Sequence, residues 1–343
     1  SLDSPDLEWA GSDLKSLFAQ RSNLMRPGFW RMIGDIARFN RATTALARAG
    51  RWPEQTLGEY LVIERYSAEF RDWYLIPMAA AIWSCPTRQM MAYPLASFVQ
   101  FCHNHGLLQV LDRPQWLTVK GGGREYVKRL VAGIGDVRLC SPVLGVWRQS
   151  QGVSLATPAG VEDFDEVVLA CHSDQALAIL GESATREEQA VLGAVTYQPN
   201  TAWLHTDDRL LPRRKAAWSA WNYSTREAGL QEAGVSVSYL INRLQPIPFS
   251  QSVVVSLNPF EAPRDEHVLE RFEYAHPVFD RAAIAAQATL PGIQGRHHTW
   301  FAGAWTGFGF HEDGLRSAIP VVEGLGARVP WRVLNRGAAV EVA

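Results

Sequence analysis

The segment that most restricts the fold runs from Phe301 to Ser317. It reads as an apolar strand end, three glycines within seven residues (Gly303, Gly307 and Gly309), and a helical stretch opening near His311. Glycine reaches backbone angles closed to other residues and lets the main chain approach a ligand, while free N–H groups at a helix start attract anionic or electron-rich atoms. A strand–turn–helix of this kind points to an α/β protein. It serves either to hold a phosphate or an electron-rich ring, or simply to make a tight connection, and the segment alone leaves both open.

The 343 residues, 47% of them apolar and 20% charged, suffice for two domains with substantial cores. A formal charge of −2 provides no overall attraction to nucleic acid or to an anionic membrane. Cys85, Cys102, Cys140 and Cys171 are too widely spaced for a C-x-x-C pair or a dense disulfide framework, so buried free thiols are expected. The best apolar run, Leu75 to Trp83, is short and contains Pro77, so no bilayer-spanning helix is expected and the chain reads as cytoplasmic.

From Ser12 to about Leu111 the pattern is helical. Pro27 suits a first helical turn, Gly50 and Pro53 end that helix, Thr56-Leu57-Gly58-Glu59 has the form of a capping box, and Ser67 suits an N-cap. Between Val137 and Leu169 short β-branched runs alternate with turn residues, and a second strand-rich region follows from about Thr196 to Leu257. Helices are expected again at Asp265–Tyr274 and Asp280–Gln287, then a strand at Thr299–Ala302 and a last helix ending near Gly326.

Phe301-Ala302-Gly303 and the turn after it resemble the C-terminal flavin motif of the flavin-containing amine oxidase and phytoene-desaturase superfamily. Three more segments fall in the order such a protein requires. Thr118 to Val127, with Gly121, Gly122 and Arg124, resembles the double-glycine turn that starts a helix. Val137 to Val143 resembles the strand that reaches the adenine end of FAD, with Val143 at the contact. Asp165 to His172 resembles the later strand that ends, at Ala170, beside the cofactor. Trp9-Ala10-Gly11-Ser12-Asp13-Leu14, His103-Asn104-His105-Gly106-Leu107-Leu108 and Gly309 to Ser317 are similar to recurring phrases of a subgroup of FAD-binding proteins.

The resemblance implies FAD as cofactor and an α/β fold: a glutathione-reductase-like, Rossmann-type FAD-binding domain from 114–190 and 292–343, interleaved with an α+β substrate domain from 1–113 and 191–291. It implies oxidation or desaturation of an apolar, fatty-acyl-type substrate by hydride transfer to flavin N5. It places Gly303, Ala304, Gly307, Phe308, Gly309, Glu312, Asp313, Gly314 and Leu315 at the cofactor, with Ala304 where many members carry Glu. Family members begin with G-x-G-x-x-G for the pyrophosphate, and none occurs here. Together with a start at Ser1 rather than Met, this creates the expectation that about seventy to eighty leading residues are lacking, and that the Rossmann-type domain is incomplete and binds FAD poorly by itself. A catalytically silent or hydrophobic-ligand-binding remnant of the same fold is the competing reading.

Flavin carries its own reactivity, so the residues sought are those that position substrate and handle a proton. His276, in Tyr274-Ala275-His276-Pro277-Val278-Phe279, is the leading candidate, against the plainer role of a hydrogen-bonded histidine in a turn. Trp305 is expected to wall the flavin face, and His311 to approach the ring from within the glycine motif. His103 and His105 lack a third ligand at useful spacing, so no metal is expected. Arg209, Arg213, Arg214 and Lys215 form a basic cluster suited either to an acyl carrier's phosphate or carboxylate, or to a solvated loop. The sequence is silent on oligomeric state.

Overall fold

A computed structural model describes residues 1–3, 6–50, 53–83, 90–109, 115, 117–226 and 235–331. The main helices are α1 (Pro27–Ala49), α2 (Leu57–Ile63), α3 (Ile76–Trp83), α4 (Leu95–Asn104), α5 (Arg124–Val131), α6 (Ser173–Leu180), α7 (Arg186–Leu192), α8 (Arg281–Thr289) and α9 (His311–Gly324). The strands are β1 (Gly145–Gln149), β2 (Gly152–Thr157), β3 (Gly160–Phe164), β4 (Val167–Leu169), β5 (Thr196–His205), β6 (Trp221–Ser224), β7 (Ser236–Leu240), β8 (Val254–Leu257), β9 (Val268–Val278) and β10 (Thr299–Phe301).

The chain divides into two compact units, one of residues 1–137 and 197–281, the other of 138–196 and 282–343. In the first, local chemistry sets the helices. Pro27 opens α1 and Gly50 closes it in the left-handed region, φ 61°. Thr56 and Glu59 exchange the two hydrogen bonds of a capping box at the start of α2. The aromatic side chains of Phe29, Phe39, Phe70 and Phe98 are fully buried among these helices. The unit's sheet has the order β6-β7-β8-β5-β9, with β6, β7, β8 and β5 paired antiparallel.

The second unit holds an antiparallel sheet, β1-β2-β3, and a parallel pair, β4 and β10. Gly152 ends the β1–β2 turn at φ 111°, and a Cβ there would stand 2.4 Å from the Phe164 carbonyl oxygen, so no other residue fits without backbone movement.

Two expected elements differ. Asp265–Tyr274 is not helical: after a short turn at Asp265–His267 it becomes strand β9, because Val268, Phe272 and Tyr274 suit a pleated edge and β5 supplies a partner. Val137–Val143 is irregular and the strand begins only at Gly145, since Cys140 takes φ 54° and Pro142 has no N–H for a ladder. Cys102 is buried as expected, but Cys140 is exposed and Cys171 half-buried; Cys85 lies outside the described residues. Among the described residues no helix is long and apolar enough to cross a membrane.

Candidate functional site

In the second unit β4 and β10 run parallel in the register Val167–Thr299, Val168–Trp300 and Leu169–Phe301. Their C-terminal ends therefore coincide, and the ladder is continued by the Ala302 amide donating to the Leu169 carbonyl at 3.1 Å. Beyond that bond, the Trp305 indole N–H donates to the Cys171 carbonyl at 3.2 Å. Ala170, Gly303 and Ala304, three of the residues expected at a cofactor, thus meet at one strand end, the side on which open α/β sheets bind their ligands.

The turn from Gly303 to Phe310 can be followed bond by bond. The Gly303 amide donates to Ser317 Oγ at 2.8 Å, and the Thr306, Gly307 and Gly309 amides donate back to the Gly303 and Ala304 carbonyls. Asp313 Oδ2 accepts from both the Phe308 and Phe310 amides, at 3.0 and 3.2 Å. From α8, the Gln287 amide group donates to the Trp305 and Gly307 carbonyls, each at 2.8 Å. Two amides remain: those of Ala304 and Trp305 donate to no group among the described residues. The nearest atom to a Cβ built on Gly314 would be the Ala304 nitrogen, at 3.9 Å, so the missing side chain at Gly314 leaves the neighbourhood of that amide uncovered.

The glycines of the turn differ in task. Gly303 sits at φ 149°, and a Cβ would lie 2.8 Å from the Trp305 ring. Gly307 gives room to a carboxylate, since its Cβ would lie 2.4 Å from Asp313 Oδ1. Gly309, at φ 89°, supplies a backbone angle that disfavours side chains. Only Gly314 opens space next to unpartnered backbone. Asp313 is buried and spent on capping, whereas Glu312 and Leu315 are exposed, Glu312 pairing with Arg316 at 3.4 Å. His311 is exposed at the first position of α9. Trp305 is 3% exposed: its ring lies over Gly303 and its N–H is used within the unit. Phe308 is half-buried, and Val143 lies half-buried in the irregular stretch before β1.

The remaining candidates belong to the first unit. Gly121 and Gly122, at φ 86° and 90°, make the turn before α5, where Arg124 is the first residue. No residue of α5 is buried, and Tyr126, Val127, Leu130 and Val131 stand exposed along it. His276 lies near the end of β9, half-buried. Its Nδ1 is 3.3 Å from Asn200 Nδ2, and Asn200 is oriented by Asn258, whose Nδ2 donates to Asn200 Oδ1 at 2.6 Å. With its oxygen so engaged, Asn200 presents N–H to the ring, so His276 Nδ1 accepts and the neutral ring carries its proton on Nε2. His276 is therefore set as a donor at Nε2. The two asparagines that set it were not among the sequence candidates, and nothing in their spacing marked them.

The basic cluster is paired within the protein. Arg209 holds Asp207 at 2.7 Å, Arg213 pairs with Asp6, and Arg214 holds buried Glu8 at 2.8 Å. Arg209, contributing most, and Arg264 pull the Asp207 carboxyl far below the ordinary range. The Lys215 ammonium lies 5.3 Å from the Trp218 ring centroid. Among the described residues no cluster of three or more His, Cys, Asp or Glu is placed to hold a metal ion.

No protein-family profile and no curated protein matches the chain. Solved structures do. A putrescine oxidase with putrescine bound matches with a TM-score of 0.58 at 12% identity, over 88% of this chain and 76% of that one. Cyclohexylamine oxidase from Brevibacterium oxydans IH-35A matches with a TM-score of 0.55 at 13% identity, over 86% and 76%. A protoporphyrinogen oxidase candidate from Exiguobacterium sp. 255-15 matches with a TM-score of 0.51 at 19% identity, over 80% and 68%. At such identities the likeness is one of fold, and this chain shares the fold of these oxidases.

Proposed function

We propose that the chain is an FAD-dependent oxidoreductase of amine-oxidase-like fold acting on an apolar substrate, fatty-acyl chains being the class that the sequence resemblance implies. The observation that carries this reading is the pair of unpartnered amides at Ala304 and Trp305, beside Gly314, at the shared C-terminal end of two parallel strands. That corner suits a flavin: backbone N–H groups complement the carbonyl oxygens of the ring, and a glycine leaves space for a flat heterocycle.

Ala170, Gly303, Ala304 and Gly314 would hold the ring, with Gly309, Glu312 and Leu315 along the exposed start of α9. Gly307, Phe308, Asp313 and Trp305 would shape the turn. Gly121, Gly122, Arg124 and Val143 are proposed for the adenine end. When bound, FAD supplies a two-electron acceptor for a C–H or N–H bond. His276, held as an Nε2–H donor by Asn200, would orient a polar atom of the substrate, and His311 would exchange protons at the solvent side. The pyrophosphate cradle of a G-x-G-x-x-G turn is not among these residues.

Titration with riboflavin and with FAD, followed by quenching of flavin fluorescence, tests the reading. Both are expected to bind saturably, FAD the more tightly because Gly121, Gly122, Arg124 and Val143 are proposed for its adenine end. The absence of saturable binding by either would overturn the proposal.

A further inference from the structure

The first unit contains a cavity of about 310 Å³, at the small end of ligand-site volumes. Two of the phrases singled out in the sequence border it: Trp9 to Ser12, and His105 to Leu107. These segments are about a hundred residues apart in the chain, and the glycine turn of α9 plays no part in either.

The lining carries no Asp, Glu, Lys or Arg side chain among the described residues; the Ser1 amino group also borders it, donating to the Tyr223 carbonyl at 2.6 Å, and burial pulls its pKa down to about 6. Its main polar groups are already engaged. Asn222 uses its whole amide on the protein: Oδ1 accepts from the Ser219 amide at 2.8 Å, and Nδ2 donates to the carbonyls of Ser219 and Ser238. The Tyr223 hydroxyl donates to the Trp73 carbonyl at 2.8 Å. His105 Nδ1 lies 2.9 Å from the Phe101 carbonyl, which can only accept, and its ring lies against Phe101 with centroids 4.1 Å apart.

What the cavity offers instead is carbon surface on fixed walls. Trp9 packs against Phe29 and Tyr74 at centroid distances of 6.0 and 5.8 Å, and Trp221 meets Tyr239 edge-on at 5.1 Å. Met78 and Leu107 complete the apolar surface. Above pH 8, where the Ser1 amine is neutral, a charged headgroup entering such a space would lose its hydration without gaining a counter-ion, whereas an alkyl chain would lose only water contacts.

We infer that this cavity is a binding site for a neutral alkyl or alicyclic ligand segment, selected by the aromatic walls of Trp9, Tyr74 and Trp221 and by the absence of any charged side chain in the lining. The inference stands without the flavin reading, since every lining residue belongs to the first unit and no redox step is involved.

The test is equilibrium binding of 1-hexanol, 1-octanol and 1-decanol at pH 8.5, where the Ser1 amine is neutral, to the purified chain without flavin, read by calorimetry, with decanoate and decylamine as charged controls. Affinity is expected to rise by about fourfold per added methylene, the value for moving one CH₂ out of water, and decanoate and decylamine are expected to bind at least about tenfold more weakly than 1-decanol. Gly11→Leu is the blocking variant. A Cβ on Gly11 meets only the Trp9 ring, at 3.8 Å, so the fold accepts a side chain there while the cavity loses volume. It should weaken 1-decanol by about tenfold with an unchanged unfolding temperature. As a second readout, 10-bromo-1-decanol should quench tryptophan fluorescence, and Trp9→Phe with Trp221→Phe should remove most of that quenching. A flat chain-length series, decanoate binding as tightly as 1-decanol, or undiminished binding in Gly11→Leu would each overturn the inference. Flavin binding without alkanol binding would sink this site alone, and the reverse would sink the flavin reading alone.

Discussion

Arg148 and Glu188 meet as a forked ion pair inside the second unit, with N–O distances of 2.7 and 2.9 Å and side chains 9% and 1% exposed. Arg148 also donates to the Ser183 carbonyl and to Thr299 Oγ1, so one guanidinium links β1, the turn after α6, α7 and the first residue of β10. Glu188 in turn accepts from the Thr185 amide at 2.8 Å, closing the capping box of α7.

Arg148→Met is expected to cost about 3–5 kcal/mol in urea unfolding, because it strands a buried carboxylate. The double variant Arg148→Met with Glu188→Gln should recover a large part of that loss. If the single variant unfolds at the native urea concentration, the pair is energetically idle.

Two glycines of the turn should respond in opposite ways to the same small change. Gly303→Ala forces a Cβ into the Trp305 ring at a backbone angle that resists side chains, so about 1–3 kcal/mol of stability should be lost. Gly314→Ala sits within α9 with free space around it and should hold or raise stability by up to about 1 kcal/mol, while weakening riboflavin binding by covering the Ala304 amide. Equal riboflavin affinity in Gly314→Ala and the native protein would remove that amide from the site.

His205 gives the stability a specific pH dependence. It is fully buried, its Nδ1 accepts from the Asp207 amide at 3.1 Å, and its Nε2 therefore donates to Ser256 Oγ at 2.8 Å. Burial lowers its pKa to about 4 from an ordinary 6.5. Above pH 6.5 both folded and unfolded chains carry it neutral. As pH falls from there toward 4 only the unfolded chain takes up the proton, so roughly 3 kcal/mol should be lost across that window. Asp207, held ionised by Arg209 and Arg264, contributes stability that is lost only at lower pH, below the ordinary Asp value of 3.8. Urea midpoints measured from pH 7.5 to 4 should show a decline that flattens in His205→Gln; a parallel decline in both proteins would exclude His205 as the cause.

The ring proton of His276 can be located directly. Nitrogen-15 shifts of the imidazole at pH 8 should report the Nε2–H tautomer, and Asn200→Ala should make the two tautomers mix. A native Nδ1–H ring would contradict the Asn258–Asn200–His276 relay. His276→Ala should leave riboflavin affinity within about twofold, since the residue is proposed to meet substrate and not the ring.

Much of the helical layer was legible because its signals are local: Pro27, Gly50, the Thr56–Glu59 box and the Ser67 cap each act within one turn of helix. The glycine turn was legible as a turn. Its internal economy was not, because Asp313 reaches back to Phe308 and Phe310, and Trp305 reaches a carbonyl 134 residues away. Residues 265–274 misled for a related reason. Their charges and apolar positions fit a helix face as well as a strand, and the deciding fact was a free edge at β5, supplied by a remote part of the sequence. The cavity of the first unit was equally hidden, its walls assembled from four separated stretches that carry no shared pattern.

Each strand of the β4–β10 pair contributes only three residues, too few to fix the corner at its end. The shape there is imposed by Gln287 on α8, Gln294 and Trp305, with Ser317 on α9. A peptide copied from 299–317 and grafted onto another scaffold would carry the lettering of the turn but not its form, and directed evolution of this protein would find levers on the shape of that corner at Gln287 and Gln294, outside the copied segment.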